Sequence, residues 1–255
     1  MLCTLLTDFG ESDGYVAAMK GVISSRAPGV SMIDLSHQIP PQNVRAGSHF
    51  WATALDYFPE GTVHIGVVDP GVGTSRAVCV ATNGRQVLVC PDNGLLSHWW
   101  FQQEAPRAFR VRASDWWLPV VSNTFHGRDI FAPTGAALAA GRVKPEELGE
   151  PFEPELLTKE SYSVQASGGE GVVIHIDHFG NVMTSLPGGE LPKFRDVLVA
   201  GLGSIPRVST YGEAKEGALV LLEGSTGFME LAVVGGSAAA RIELAVGDPV
   251  KLSWA

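Results

Sequence analysis

Acidic residues close three apolar runs in this chain, and they are where chemistry is first sought. Asp8 follows Leu2 to Leu6, Asp69 follows Val63 to Val68, and Asp177 follows Val172 to Ile176. The middle one opens the loop Asp69-Pro70-Gly71-Val72-Gly73-Thr74-Ser75-Arg76, which sets a guanidinium seven positions from a carboxylate. Pro fixes φ and removes a donor, while Gly permits φ > 0, so the chain leaves a strand and turns tightly. In open α/β sheets, ligands bind beyond the carboxyl ends of the strands. An acid and an arginine there form either a surface ion pair or a polar site. His126 lies in the turn-like segment Ser122-Asn123-Thr124-Phe125-His126-Gly127-Arg128-Asp129, just ahead of an Ala-rich helix over 130–140. It reads as a cap or packing residue, or as an acid–base group.

A second set follows in Asp177-His178-Phe179-Gly180-Asn181. A carboxylate binds an ammonium or a ribose diol, an amide reads an adenine edge, and an aromatic ring stacks on a base. The same five residues also make an ordinary turn. Gly224-Ser225-Thr226-Gly227-Phe228 offers hydroxyls and backbone N–H groups to a carboxylate, or is a plain hairpin. Asp69, His126 and His64 are metal-ligating types, but an arginine beside Asp69 makes a poor cation site, so no metal is expected. No Walker loop, completed G-x-G-x-x-G, H-E-x-x-H or G-x-S-x-G occurs.

The elements that must carry these residues fall into two groups. Up to about residue 150, strands and helices alternate: helical periods over 14–25, 44–58 and 95–102, strands over 30–35, 77–82 and 86–90, and the hairpin signal Asn83-Gly84. This implies an α/β domain, 1–155, with a central mostly parallel sheet flanked by helices. Residues 156–169, with Pro154 just before and Gly168-Gly169 at the end, read as a linker. Beyond it, 170–255 shows short strands over 172–176, 197–199, 218–223, 229–234 and 250–253, which implies a small β-barrel or sandwich.

The 255 residues carry 45% hydrophobic and 18% charged side chains, enough for real cores. A net charge of −9 repels nucleic-acid phosphate, so no nucleic-acid partner is expected. Cys3, Cys79 and Cys90 sit in apolar runs without metal spacing and read as core residues in a reducing compartment. Met1 to Leu6 is too short and uncharged for a signal peptide, and no apolar run reaches membrane-spanning length. The expectation is a cytoplasmic protein that does not engage a membrane.

Six pieces, in order, resemble the S-adenosyl-L-methionine (SAM) hydroxide adenosyltransferases, or SAM hydrolases, which are homologous to the SAM-dependent fluorinase and chlorinase. They are Thr7-Asp8-Phe9-Gly10, Val68-Asp69-Pro70-Gly71-Val72-Gly73, Pro91-Asp92-Asn93-Gly94-Leu95, Thr124-Phe125-His126-Gly127-Arg128-Asp129, Asp177-His178-Phe179-Gly180-Asn181-Val182, and Gly224-Ser225 through Glu230-Leu231-Ala232. The resemblance implies an N-terminal α/β domain, a C-terminal β-barrel, and a homotrimer with active sites between one subunit's N domain and the next one's C domain. It implies the reaction of SAM with water to give adenosine and L-methionine, without cofactor or metal. The family's Asp-Arg-His triad falls on Asp69, Arg76 and His126, and its ribose-binding acid on Asp8. Asp177 then holds the methionine ammonium, Asn181 the adenine and Ser225 the methionine carboxylate. Phe179 and Tyr211 line the adenosine pocket, and the strand over 229–234 adds Glu230 and Val233. Relatives often have Asn after the Ala-Val of that strand, where this chain has Val234.

Water has a pKa near 15.7 and must be oriented and activated to attack C5′. Asp69 beside Arg76 is placed to accept a hydrogen bond from it, and His126 to accept or relay a proton. A halide needs the opposite, small donors and no carboxylate. The short span from Arg76 to Pro91 also lacks the fluorinase's long insertion. Two alternatives remain at this level, a non-catalytic SAM or adenosine sensor and a SAM-dependent halogenase.

Overall fold

The computed structural model describes residues 1–112 and 115–254. They form two compact units, Met1–Thr158 and Lys159–Ala255.

The first unit holds β1 (Leu2–Thr7), β2 (Ser31–Ser36), β3 (Val63–Val67), β4 (Val78–Thr82), β5 (Val87–Pro91), β6 (Arg107–Val111) and β7 (Gly149–Pro151) in one sheet of order β2-β1-β3-β5-β4-β6-β7. β1 pairs in parallel with β2 and β3, and β3 with β5. The pairs β4–β5, β4–β6 and β6–β7 are antiparallel. The sheet is therefore mixed in equal parts rather than mostly parallel. The cause is the Asn83-Gly84 turn: Asn83 Oδ1 accepts from the N–H groups of Arg85 and Gln86, 3.0 Å each, and folds β5 back on β4.

Side-chain alternation along the strands separates two apolar clusters. Cys3, Leu5, Val63, Ile65, Val80 and Val89 join Met19 and Ile23 of α1 (Tyr15–Arg26). Leu6, Cys79, Ala81, Leu88 and Cys90 join Trp51 of α2 (Val44–Ala54) and Trp99 of α3 (Ser97–Phe101). All five residues of β3 are buried, so both of its faces are covered. One face meets α4 (Ala132–Ala139), every residue of which is buried. A β-carbon on its Gly135 would collide with Ile65, so small residues here let helix and strand backbones approach. His64 lies wholly inside β3, with Nδ1 2.8 Å from Thr4 Oγ1, and burial pushes its pKa down to about 3. It is a core residue away from the Asp69 loop. Among the described residues no cluster of three or more His, Cys, Asp or Glu could hold a metal ion.

The second unit is antiparallel: β8 (Ser163–Gln165), β9 (Gly168–Ile176), β10 (Val182–Pro187), β11 (Asp196–Val199), β12 (Gly203–Pro206), β13 (Leu219–Glu223), β14 (Phe228–Val233) and β15 (Pro249–Ser253), with a short α5 (Ala238–Ile242). The path runs β12-β11-β15-β9-β10-β14-β13, with β8 on β9. A parallel bridge from Arg207 to Leu221 joins the region after β12 to β13, so the ends of the path nearly close on a core of Val173, Leu186, Leu231 and Trp254. The stretch 156–169 is not a bare linker. It contains β8 and the start of β9. Gly168 is glycine because β15 crosses there, and a β-carbon would lie 2.7 Å from the Leu252 carbonyl oxygen. Leu157 N donates to Ser97 Oγ at 2.7 Å, which fastens the end of the first unit's chain.

Among the described residues, no helix is long and apolar enough to cross a membrane.

Candidate active site

β1 and β3 are neighbours in parallel, with Thr7 paired to Val67, so Asp8 and Asp69 leave the same end of the sheet. The loop after β3 is held by its own backbone and by the Asn93 side chain. Val72 N bonds to Asp69 O, Thr74 N to Gly71 O, and Asn93 Nδ2 donates to Val68 O at 2.9 Å. Asp69 and Arg76 side chains are only 5% and 9% exposed. Arg76 Nε donates to both oxygens of Asp69, at 2.9 and 3.1 Å, and Nη2 to Oδ2. Its guanidinium also lies over the Phe131 ring, 5.1 Å from the centroid. The forked, nearly buried geometry makes this more than a surface ion pair.

Arg76 Nη2 is also 2.9 Å from His126 Nδ1. Arginine has no acceptor, so Nδ1 must accept and carries no proton. The neutral imidazole therefore keeps its proton on Nε2. Burial lowers the His126 pKa below its ordinary value, and the Arg76 charge lowers it further, against smaller opposing effects of Asp69 and Asp129. In this arrangement His126 offers a donor at Nε2. With Nδ1 committed to Arg76, Nε2 is the ring nitrogen left for any acid–base or donor role.

His126 is positioned by the turn that follows it. Gly127–Phe131 is wound as a π-turn that runs into α4, in place of the plain helix expected from 130 onward. Asp129 within it is fully buried. Burial alone would raise its pKa, but the Arg128 fork (2.6 and 3.0 Å) and the Ser122 N–H (2.8 Å) hold it below the usual carboxylate range. The Ser122 bond ties the approach to His126 onto the helix. Asp8 Oδ2 accepts from Gln42 N at 2.7 Å. Gln42 has φ 63°, a left-handed conformation rare outside glycine, which aims that N–H at the acid. Beside Asp8, the rings of Phe9, Tyr15 and Phe125 meet edge to face, with centroids 5.2–6.0 Å apart.

In the second unit Asp177 organises the turn between β9 and β10. Its Oδ1 accepts from Phe179 N (2.9 Å) and Asn181 N (2.8 Å), and its Oδ2 from Asn181 Nδ2 (2.9 Å). A carboxylate oxygen has two lone pairs, so Oδ2 keeps room for one further donor. Gly180, at φ 82°, lies where a β-carbon would collide with Ser237. Asn181 Nδ2 reaches Tyr211 Oη at 3.4 Å, and the Tyr211 hydroxyl donates to Glu230 Oε1. Burial raises the Glu230 pKa; the Tyr211 hydrogen bond opposes this and the Asp177 charge adds to it.

Two sets are thus assembled, Asp69-Arg76-His126 with Asp8 at the same sheet end, and Asp177-Asn181-Tyr211-Glu230. Phe179 shares the Asp177 turn and is 74% exposed. Ser225 is exposed in the β13–β14 turn, next to Gly224, whose β-carbon would lie 2.6 Å from Glu230 Oε2. Val233 is half-buried at the end of β14, its carbonyl accepting from Gly236 N at 3.0 Å. Neither Ser225 nor Val233 joins the polar set directly. Residue-by-residue reading gave no role to Gln42, Asn93 or Asp129. The only signal for Asn93 and Asp129 was their place in quoted motifs.

Residues 3–149 match the model of the SAM hydroxide adenosyltransferase N-terminal domain, and residues 171–251 that of the C-terminal domain. An (R)-S-adenosyl-L-methionine hydrolase from Thermus thermophilus is 43% identical over 255 residues, with 97% of each chain covered. A crystal structure titled as an uncharacterized conserved protein from Thermotoga maritima superposes with a TM-score of 0.92 at 33% identity, covering both chains fully. A fluorinase from Actinopolyspora mzabensis is more distant, at 27% identity over 99% of this chain and 97% of the relative.

Proposed function

The chain belongs to the SAM hydroxide adenosyltransferase family, and we propose that it hydrolyses S-adenosyl-L-methionine to adenosine and L-methionine, with preference for the R epimer at sulfur. The observation that carries this is the Arg76 clamp, which holds the Asp69 carboxylate and His126 Nδ1 with one guanidinium. Arg76 leaves Asp69 acceptor capacity for a water O–H, while His126 Nε2–H donates to the water oxygen. The second lone pair of that oxygen attacks C5′. As the C–O bond forms, the C–S electron pair returns to sulfur, and a cationic sulfonium leaves as neutral methionine. The proton lost by the attacking water passes to Asp69 and on to solvent. A halide in the same place would face the Asp69 carboxylate, so like-charge repulsion favours water.

In this proposal Asp8 holds the ribose hydroxyls and the free acceptor position of Asp177 Oδ2 takes the methionine ammonium. Ser225 takes the carboxylate, and Phe179, Tyr211, Asn181, Glu230 and the Val233 backbone surround the adenosine. The finer architecture, helices flanking the first sheet and a closed barrel in the second unit, is part of the same reading. So are a cytoplasmic homotrimer with sites shared between subunits, and the absence of any cofactor. The deciding experiment is product analysis: purified protein is given each sulfonium epimer, in water and in high chloride. Adenosine and methionine in equal amounts are expected from the R epimer. Tight SAM binding without turnover would instead identify a sensor, and 5′-chloro-5′-deoxyadenosine a halogenase.

A further inference from the structure

The second unit contains a chain of hydrogen bonds whose direction is fixed by chemistry. Asp177 is acceptor-only, so the end of the Asn181 amide 2.9 Å from its Oδ2 must be nitrogen. Tyr211 has a single hydroxyl proton, and Glu230 takes it. That leaves the Tyr211 oxygen as an acceptor toward the second N–H of Asn181, at 3.4 Å. Glu230 is 6% exposed and Asn181 9%, so both ends of this chain are shielded from water, with the 43% exposed Tyr211 between them. Both amide protons are thus engaged, and Oδ1 is the end left for a ligand. A flip of the amide would set its oxygen against the Asp177 carboxylate and the Tyr211 oxygen, and would strand the nitrogen.

We propose that Glu230, acting through Tyr211, is a positioning residue that fixes the Asn181 amide with Oδ1 outward, so that the site selects a 6-amino purine over a 6-oxo purine. An outward carbonyl accepts from an exocyclic amine. Against a 6-oxo group it meets a second acceptor, and both go unpaired. Selection by an unpaired buried polar group is far steeper than selection by a missing methyl. Asp177 supplies the other fixed acceptor, so removal of the Tyr211–Glu230 arm narrows the selection and loss of both arms abolishes it. The inference rests on the SAM-directed reading of the site, but its test uses nucleosides and needs no turnover.

Adenosine and inosine binding to the full-length protein are measured by calorimetry for the native chain, Tyr211→Phe, Glu230→Met, Glu230→Gln and Asp177→Asn/Tyr211→Phe. The native chain should favour adenosine by at least about tenfold, the worth of one buried polar mismatch. Tyr211→Phe and Glu230→Met should each narrow that ratio roughly threefold to tenfold. Glu230→Gln, which keeps an acceptor for the Tyr211 hydroxyl, should restore it, and the double variant should bring it near one. Tyr211 is 43% exposed, so its loss of a hydroxyl leaves the core intact if Glu230→Met fails to fold. A ratio unchanged in Tyr211→Phe, or equal weakening of both nucleosides, overturns the proposal while leaving SAM hydrolysis standing. Failure of native protein to bind either nucleoside, together with no turnover of SAM, overturns both.

Discussion

A β-carbon on Gly73 would lie 2.6 Å from the backbone oxygen of Asn123. The loop that carries Asp69 and Arg76 thus touches the segment that leads to His126, and only glycine permits the approach. Gly73 also has φ 78°, which a larger residue adopts at a cost. Gly73→Ala should therefore separate Arg76 from His126 while both side chains remain. The expected result is a loss of about 1–3 kcal/mol in stability and a fall in kcat greater than the rise in KM. Denaturant unfolding and steady-state adenosine release check the two halves. Native kcat in the variant would show that the loop contact does not hold the triad.

Asp69→Asn keeps the size of the side chain and removes the charge that faces Arg76. SAM binding should persist and turnover should fall about 10²–10⁴-fold, the usual range for a lost acid–base group. Calorimetry measures the first and adenosine release the second. Undiminished release would remove Asp69 from the chemistry.

Much of this was legible in local pattern. The runs ending at Thr7 and Val67 are mostly apolar and read as buried strands, and the Asn83-Gly84 turn marks its own hairpin. The positive-φ glycines at 73 and 180 stand at the turns where they were quoted. What was hidden depends on partners distant in the chain. β10 carries Thr184 and Ser185, polar and buried, and reads as loop until Thr184 Oγ1 finds Met229 O and Ser185 Oγ finds Ser161 O. β6 and β7 are supported by pairing across about forty positions, with no local signal of their own. Gly168-Gly169 suggested a link because glycine serves flexible chain and close strand crossings alike. The site residues behaved the same way. Asp69 and Arg76 are close in sequence, but the Tyr211–Glu230 bond spans 19 positions and Asn181–Tyr211 spans 30, beyond any periodicity.

The proposed trimer makes a prediction that single-chain sites do not. Asp69→Asn damages the first unit and Asn181→Ala the second. If sites form between subunits, refolding these two inactive variants together should recover a fraction of native turnover that neither shows alone. Mass spectrometry establishes that mixed trimers are present. Mixed trimers as inactive as their parents would place each site within one chain.

The tautomer of His126 is the sharpest test of mechanism. Arg76 can only donate, so Nδ1 must stay bare, and a second proton on the ring would set N–H against N–H. Burial, and then the Arg76 charge, lower the pKa of His126 from its ordinary 6.5. The unfolded chain therefore takes up this proton at a higher pH than the fold does. The contribution of neutral His126 to stability is complete above pH 6.5 and is lost as pH falls through the lowered folded value. Turnover should follow with an acid limb below 6.5 and no dependence on His126 above it. Nitrogen-15 spectra should show Nδ1 unprotonated and Nε2 protonated at neutral pH. His126→Gln, which can still present an N–H near the Nε2 position, should then retain at least about tenfold more turnover than His126→Ala, since a kept hydrogen bond to a developing charge is worth a decade or more. A general base would leave Gln as inactive as Ala; the acid limb is common to both roles, because each needs the neutral ring. Protonated Nδ1 in the native spectrum would show that Arg76 does not hold the ring as described, and the donor role would fall with it.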